Sequence, residues 1–408
     1  MNAVPSTLPL SSATNGLPRN AGTLLALLDG ISGGTLDLLL PDHSLYSFGH
    51  PGGTSALLEV HDWAFFDRVV ERGDVGLAES WLDGDWQTPD LAALLTLLAI
   101  NRDRLARAVY GQWWRLLTAR WRHRQNANTR GGSRRNIMAH YDLGNDFYAL
   151  WLDPTMSYSS ALFGSDARCQ LADAQVAKYR RVLSRLGARP GERVLEIGCG
   201  WGGFAETAAG EAGLEVVGIT LSPAQLAYAR ARLHAAGLDR QVTLALRDYR
   251  DLAGERFDHI VSIEMFEAVG ERWWGNYFAT LQRLLRPDGR AIVQSITIRD
   301  DLFRRYRRGT DFIQQHIFPG GMLPSRSAFG RQATRSGLIV SDAFAFGRDY
   351  ARTVSEWSAN FERNWPAIER QGFDERFRRL WRFYLAYCRA GFASGCTDVV
   401  QFELAHAR

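Results

Sequence analysis

The sequence lacks the features that mark secreted, zinc-binding or membrane-spanning proteins. Its 408 residues include four cysteines, which form no Cys-x-x-Cys pair and have no histidine at a spacing that suits zinc. The amino terminus has no basic segment followed by an apolar one, so no secretory signal is predicted. The longest apolar run, Leu91–Ile100, is far shorter than the roughly 20 residues that span a bilayer. We therefore expect a cytoplasmic protein with reduced thiols and no metal, which meets the inner face of the membrane peripherally.

Aromatic residues and locally concentrated positive charge are what the sequence has in excess. Phe, Trp and Tyr make up 12% of the chain, enough to line an apolar cavity as well as a core. The net charge is only +4, but ten arginines, three tryptophans and a single acid, Asp103, lie between Arg102 and Arg135. Such a stretch is typical of a segment that binds an anionic lipid surface. Nucleic acid, or solvent alone, could face the same charge.

Composition and hydrophobic pattern divide the chain into four parts. Residues 1–21 predict a flexible leader, and residues 113–135 predict a basic aromatic helix followed by a polar linker. Residues 22–112 predict a small α+β domain with strands and helices at Thr35–Leu40, Leu57–Val60, Ala64–Arg72 and Asp90–Ile100.

Residues 136–408 alternate strands with helices, and no internal repeat is evident. The expected strands are Arg193–Ile197, Glu215–Ile219, Val242–Leu246, Phe257–Ile263 and Arg290–Val293. This order predicts an α/β fold with a mostly parallel, doubly wound sheet.

The strongest local motif follows the first of these strands. Gly198-Cys199-Gly200-Trp201-Gly202 lies between a strand and a helix, where glycines let the backbone approach a ligand and present amide groups to it. A dinucleotide could use the same loop. However, Glu196 stands before the first glycine, where a carboxylate can meet a cationic ammonium group. The motif resembles motif I of class I methyltransferases, which bind S-adenosylmethionine (SAM).

Two further segments agree with this resemblance. Thr220 and Leu221 end the second strand, where the sugar hydroxyl groups of SAM are usually bound, and Gln225 lies one turn into the next helix. Many class I enzymes have an acidic residue in place of Thr220. Asp248 and Tyr249 follow the third strand, where Asp248 can accept the adenine amino group or merely cap a helix.

Longer blocks make the resemblance specific. They are spread over about two-thirds of the chain, at His140–Tyr148, Met156–Phe163, Ile263–Gly270, Phe312–Gly321 and Asp398–Phe402. These blocks resemble cyclopropane-fatty-acyl-phospholipid synthases and mycolic acid cyclopropane synthases. Glu79–Gly84 resembles the accessory lipid-binding domain of the phospholipid branch, which the mycolic acid branch lacks. The resemblance therefore favours an unsaturated phospholipid as substrate and implies a Rossmann-like catalytic domain.

The implied reaction adds the SAM methyl group to an acyl double bond. The resulting carbocation on the acyl chain needs a dry site faced with aromatic rings, for which Tyr141 and Tyr158 are the candidates. Ser159 is expected beside Tyr158 at the cofactor. A base then removes a proton from the added methyl group, and the ring closes.

In the family that the sequence resembles, this base is a bound bicarbonate. The resemblance places around it Glu267, Tyr350, Ile296, Gln294 and Ser160. Two of these positions depart from the family, which has His in place of Gln294 and Cys in place of Ser160. Gln294 can donate a hydrogen bond to an anion but cannot carry its proton. Glu264 also stands where the better-known members have Gly.

Three alternatives stay open beside the cyclopropane synthase. The acyl cation could lose a different proton and leave a methyl or methylene branch. The departures at Gln294 and Ser160 in the base site suggest this alternative. The chain could instead methylate a small molecule or nucleic acid. It could also be a non-catalytic lipid-binding relative, although the complete glycine loop argues against this. We favour an unsaturated phospholipid in an anionic membrane as partner, without nucleic acid, and the sequence is compatible with a homodimer.

Overall fold

The computed structural model describes residues 17–109, 143–252 and 254–407. Tyr141 and most of the basic stretch between Arg102 and Arg135 lie outside the described residues. Among the helices of the described ranges, none is both long and apolar enough to cross a membrane.

The amino-terminal region is a small α+β unit, as predicted. Its sheet has the order β2-β1-β3-β4, with β1 Gly34–Leu39, β2 Leu45–Gly49, β3 Thr54–Val60 and β4 Trp86–Gln87. Its helices are α1 Arg19–Leu28, α2 Ala64–Arg72, α3 Asp74–Asp83, α4 Leu91–Ile100 and α5 Arg102–Val109. Helix α1 begins inside the predicted leader, because Ala21, Leu25 and Leu28 are apolar at helical spacing and are buried in the core.

The second sheet has seven strands in the order β10-β11-β9-β8-β5-β6-β7. The strands are β5 Arg193–Ile197, β6 Glu215–Thr220, β7 Val242–Leu246, β8 Phe257–Ile263, β9 Leu285–Ile298, β10 Leu338–Ala345 and β11 Thr397–His406. The pairs among β5 to β9 are parallel, whereas β10 and β11 add an antiparallel edge. The predicted mostly parallel, doubly wound sheet is therefore confirmed.

Helices cover this sheet and connect it to the amino-terminal region. They are α6 Asn145–Ala149, α7 Leu171–Leu186, α8 Gly203–Ala212, α9 Pro223–Ala235, α10 Trp274–Leu284, α11 Asp300–Tyr306, α12 Arg326–Arg335, α13 Gly347–Arg363, α14 Trp365–Arg370 and α15 Glu375–Ala393. Helix α15 lies against α3: the Trp81 indole donates to the Arg379 carbonyl at 3.0 Å, and Arg379 Nε donates to the Trp81 carbonyl at 2.7 Å. One apolar core is continuous across both regions.

Candidate active site

A cavity of about 520 Å³ lies at the carboxyl ends of the parallel strands. This is the edge at which open α/β sheets bind their ligands. The cavity begins at the glycine loop and is lined in its middle by aromatic and acidic side chains. It continues into the amino-terminal region, where its walls are mostly apolar and include Leu24, Leu36, Leu58, Phe65, Leu95 and Leu98. The space therefore connects a polar cofactor loop with a long apolar compartment.

The glycine loop has the backbone shape that its sequence predicts. Gly198, Gly200 and Gly202 have φ angles of +87°, +51° and +87°, in a region that glycine adopts readily and other residues rarely. The amides of Gly198 and Cys199 both donate to the carbonyl of Ile219, at 2.9 and 3.0 Å, which fixes the loop above β6. A Cβ atom at Gly200 would meet no atom of the described residues within 4 Å, and Gly200 lines the cavity.

Glu196 provides the strongest sign that a cation belongs in this space. Its side chain is buried at the end of β5, and no group in the part of the chain that the structure describes forms a hydrogen bond with Oε2. Burial raises the pKa of Glu196 to about 8, although the charge of Lys178 opposes this. Because an unpaired buried carboxylate oxygen is unfavourable, an ammonium group at this position would stabilise it. The amino group of SAM fits this requirement.

The remaining predicted SAM contacts line the same end of the cavity. Thr220 Oγ1 donates to Gln225 Oε1 at 2.9 Å, and both side chains are buried beside Leu221. Asp248 caps the short turn that contains Tyr249, since its carboxylate accepts from the Arg250 amide at 2.9 Å and pairs with the Arg250 guanidinium. The helix-cap interpretation of Asp248 is thus correct, and its contact with adenine stays a prediction.

A buried lysine that the sequence analysis missed holds Ser159 in place. Lys178 is fully buried on α7 and donates to Ser159 Oγ and Gln175 Oε1, both at 2.6 Å. Burial lowers the pKa of Lys178 to about 8, although Glu264 and other nearby carboxylates oppose this. Helical spacing alone places Lys178 on a helix face without showing that this face is internal.

Aromatic rings surround Tyr158 next to the glycine loop. The Tyr158 ring lies 5.4 to 5.5 Å from the rings of Tyr148, Trp151 and Trp357, and its hydroxyl is 2.6 Å from that of Tyr384. Tyr158, Trp357 and Tyr384 also line the cavity. Ring faces stabilise cations that are kept from water. Tyr158 therefore lies among aromatic rings, most of which come from segments that the sequence analysis did not single out, and its contact with a cation stays a prediction.

The residues predicted to hold bicarbonate come together, but they bind a carboxylate of the chain itself. Glu264 Oε1 accepts from the Ser160 amide at 2.9 Å and from Gln294 Nε2 at 2.7 Å. Glu264 Oε2 accepts from the Tyr350 hydroxyl at 2.6 Å. Three of the predicted donors are therefore directed at Glu264.

The other two members of this set, Glu267 and Ile296, bind each other. Glu267 Oε1 accepts from the Ile296 amide and from Ser295 Oγ, whereas Oε2 is buried in the cavity wall and has no partner among the described residues. Burial, and then the charge of Glu264, raises the pKa of Glu267 to about 8. Since every predicted donor already binds a carboxylate of the protein, the residues present do not fit a separate bicarbonate.

The raised pKa of Glu267 predicts a pH-dependent stability. Between its usual value near 4.5 and about 8, the folded protein holds a proton that the unfolded chain releases, so the free energy of unfolding falls as pH rises through this window. One such carboxyl contributes at most about 1.4 kcal/mol per pH unit. We expect Glu267→Gln to make the fall shallower in urea unfolding between pH 5 and pH 8. Parallel curves for parent and variant would contradict this assignment.

Comparison with known proteins agrees with this geometry. Residues 129–402 match the family described as mycolic acid cyclopropane synthetase. The chain is 39% identical over 377 residues to a tuberculostearic acid methyltransferase of Mycobacterium tuberculosis, covering 90% of this chain and 87% of the relative. It is 36% identical over 361 residues to the cyclopropane-fatty-acyl-phospholipid synthase of Escherichia coli strain K12, covering 88% and 89%.

Solved structures give the same result for about two-thirds of the chain. A cyclopropane synthase from Mycobacterium tuberculosis superposes with a TM-score of 0.62 at 32% identity, covering 67% of this chain and 98% of that one. A mycolic acid cyclopropane synthase complexed with SAH has a TM-score of 0.62 at 33% identity, covering 66% and 97%.

The glycine loop, the buried Glu196 and these structural neighbours define a class I SAM-dependent methyltransferase. Within that class, the chain belongs to the mycolic acid cyclopropane synthetase family.

Proposed function

We propose that this enzyme transfers the methyl group of SAM to the double bond of an unsaturated phospholipid acyl chain and closes a cyclopropane ring. The observation that carries the proposal is the continuous cavity from the glycine loop to the apolar interior of the amino-terminal region. An acyl chain is the substrate that fits a long compartment lined by leucines, because its burial removes apolar surface from water. A polar small molecule or a nucleotide would leave those walls unused.

The chemistry of the cavity supports an alkene as the acceptor. When bound, SAM supplies the methyl group as an electrophile, and the alkene is a weak nucleophile. The rings of Tyr158 and Trp357 lie where they can face the cation that forms on the acyl chain, and the buried site excludes water that would capture it. Glu264 and Glu267 line the same cavity as acidic groups that can hold a proton.

Two observations support phospholipid over mycolic acid as substrate. The chain matches the cyclopropane-fatty-acyl-phospholipid synthase over 88% of its length, whereas the mycolic acid synthase structures cover only about two-thirds. The family match begins at residue 129, so it leaves out the amino-terminal region, whose interior is part of the cavity.

A branched acyl chain is the second candidate product. The relative with 39% identity is named a tuberculostearic acid methyltransferase, and it matches this chain over 90% of its length. Both products begin with the same methyl transfer and differ only in which proton leaves. Expression in a host that lacks such an enzyme separates them, because both add the mass of one methylene group and NMR distinguishes a ring from a branch. Unchanged acyl chains would contradict both candidates.

We further propose that the enzyme meets the phospholipid at an anionic membrane surface through the Arg102–Arg135 segment. Arginine attraction to anionic headgroups weakens when salt screens it, since the Debye length falls to about 3 Å at 1 M ionic strength. We expect co-sedimentation with vesicles of anionic phospholipid to fall steeply as salt is raised. Vesicles of neutral phospholipid are the control, and equal binding to both kinds at every salt concentration would refute the proposal.

A further inference from the structure

Glu264 places a carboxylate among the residues that the family resemblance assigns to a bound bicarbonate. It follows β8, and its two oxygens accept hydrogen bonds from a backbone amide, a side-chain amide and a phenol. These three donors come from distant segments, at Ser160, Gln294 and Tyr350. The side chain therefore lies in a site shaped for an anion and is not directed into solvent.

The backbone at Glu264 is strained in a way that glycine would avoid. Its φ angle is +48°, and its amide donates to the Gln294 carbonyl at 2.8 Å, which holds the chain in this turn. A residue with a side chain pays roughly 1 kcal/mol or more in this region. Glycine, the residue of the better-known family members, adopts it without cost. Strain that persists at a buried polar site points to a role in function.

The orientation of Gln294 is fixed so that it donates to Glu264. Gln294 is fully buried, and its Oε1 accepts from Gln401 Nε2 at 3.0 Å. Gln401 Oε1 in turn accepts from the guanidinium of Arg181 at 2.5 Å. Because Arg181 can only donate, the direction of each hydrogen bond in this chain is set, and Gln294 Nε2 must face Glu264.

From this geometry we infer that Glu264 is the built-in proton acceptor of the reaction and takes the place of bicarbonate. The inference rests on the proposed function for its substrate. After methyl transfer, a Glu264 oxygen takes a proton from the added methyl group, and the electrons of that C–H bond form the third bond of the ring. The products are a cyclopropane and a protonated Glu264, which returns the proton to solvent before the next cycle.

The surroundings of Glu264 suit a group that gains and loses a proton. Burial raises its pKa above the usual value, while the hydrogen bonds from Tyr350 and Ser160 and the charge of Lys178 oppose that rise. These opposing effects act on one carboxyl group, which lines the cavity and is shielded from solvent. Gln294 cannot take the proton itself, so the acceptor must be a carboxyl group in this cluster.

Bicarbonate binding tests the site without any lipid. We expect calorimetry to detect no bicarbonate binding to the parent, because Glu264 fills the anion position. Glu264→Gly should bind bicarbonate, since it removes the carboxylate and leaves the three donors free. Thermal unfolding of each variant establishes that it is folded. Equal binding by parent and Glu264→Gly would overturn the inference.

Turnover tests the proton transfer. Glu264→Gln keeps the shape but loses the charge, and we expect methyl incorporation into unsaturated phospholipid to fall by on the order of 10²–10⁴-fold. Glu403→Gln is the matched control: Glu403 is a buried glutamate on β11 that pairs with Arg185 and lies away from the cavity lining. Added bicarbonate should restore activity to Glu264→Gly and leave the parent unchanged.

The outcomes separate this inference from the proposed function. Full activity of Glu264→Gln, or a parent whose turnover depends on added bicarbonate, would overturn the role of Glu264 and leave the methylation of acyl chains intact. A parent that modifies no unsaturated phospholipid would overturn the proposed function. In that case calorimetry still decides whether Glu264 or an external anion occupies the site.

Discussion

Gly200→Leu is expected to abolish SAM binding. The position has a φ angle of +51° and lines the start of the cavity, so a leucine side chain would extend into the volume that the cofactor needs. A loss of about 3 kcal/mol or more corresponds to an affinity roughly 100-fold lower. Calorimetric titration of SAM into the purified variant measures this loss directly.

Gly187→Leu provides the control for backbone strain. Gly187 ends α7 with a φ angle of +63°, and a Cβ there also meets no atom within 4 Å in the ranges that the structure describes. The two substitutions therefore introduce similar strain, but only the first enters the cavity. We expect Gly187→Leu to bind SAM as the parent does. If Gly200→Leu also bound SAM with unchanged affinity, the cofactor would have to lie elsewhere.

Loss of Tyr350 or Glu267 is expected to slow turnover without weakening SAM binding. Tyr350→Phe removes the hydroxyl that donates to Glu264 Oε2 but keeps the ring that stacks on Phe392. Glu267→Gln removes an acidic group whose Oε2 is buried in the cavity wall and lacks a partner within the described ranges. We expect turnover to fall by on the order of 10²–10⁴-fold in each case, the usual range for a disturbed general base.

Tyr277→Phe is the control for Tyr350→Phe. Tyr277 is also buried, but it does not line the cavity. Its loss should leave turnover unchanged. A fully active Glu267→Gln would mean that Glu267 is only a buried structural carboxylate, held by Ile296 and Ser295.

The sequence predicted the part of the fold in which local pattern and tertiary packing agree. The expected strands are short apolar runs, and four of the five end within one residue of their observed bounds. The fifth, expected at Arg290–Val293, extends from Leu285 to Ile298, because Leu285 also pairs with β8 and the residues up to Ile298 pair with β11. The edge strands β10 and β11 were not expected, since half of the residues of β10 are exposed and its pattern is weakly apolar.

The sequence predicted which residues form the site, but not which of them bind each other. Motif blocks identified Ser160, Gln294, Ile296 and Tyr350 as neighbours, and the structure brings them together with Glu267. The direction of the Glu264 side chain could not be read from sequence, because it depends on a positive φ angle and on donors from distant segments. The sequence signal for this arrangement was that Glu264 stands where the better-known family members have Gly. Trp357 and Lys178 were missed because burial of a helix face is a property of packing.

Methyl transfer to the acyl double bond is tested most directly with the purified enzyme, SAM with an isotopically labelled methyl group, and vesicles of anionic phospholipid. One set of vesicles carries monounsaturated acyl chains, and the matched set carries saturated chains of the same length. We predict that label enters only the unsaturated chains, as a new carbon bonded to the former double bond, with a gain of one methylene group. Label in the headgroup, label in the saturated chains, or no label in either set would contradict the proposed function.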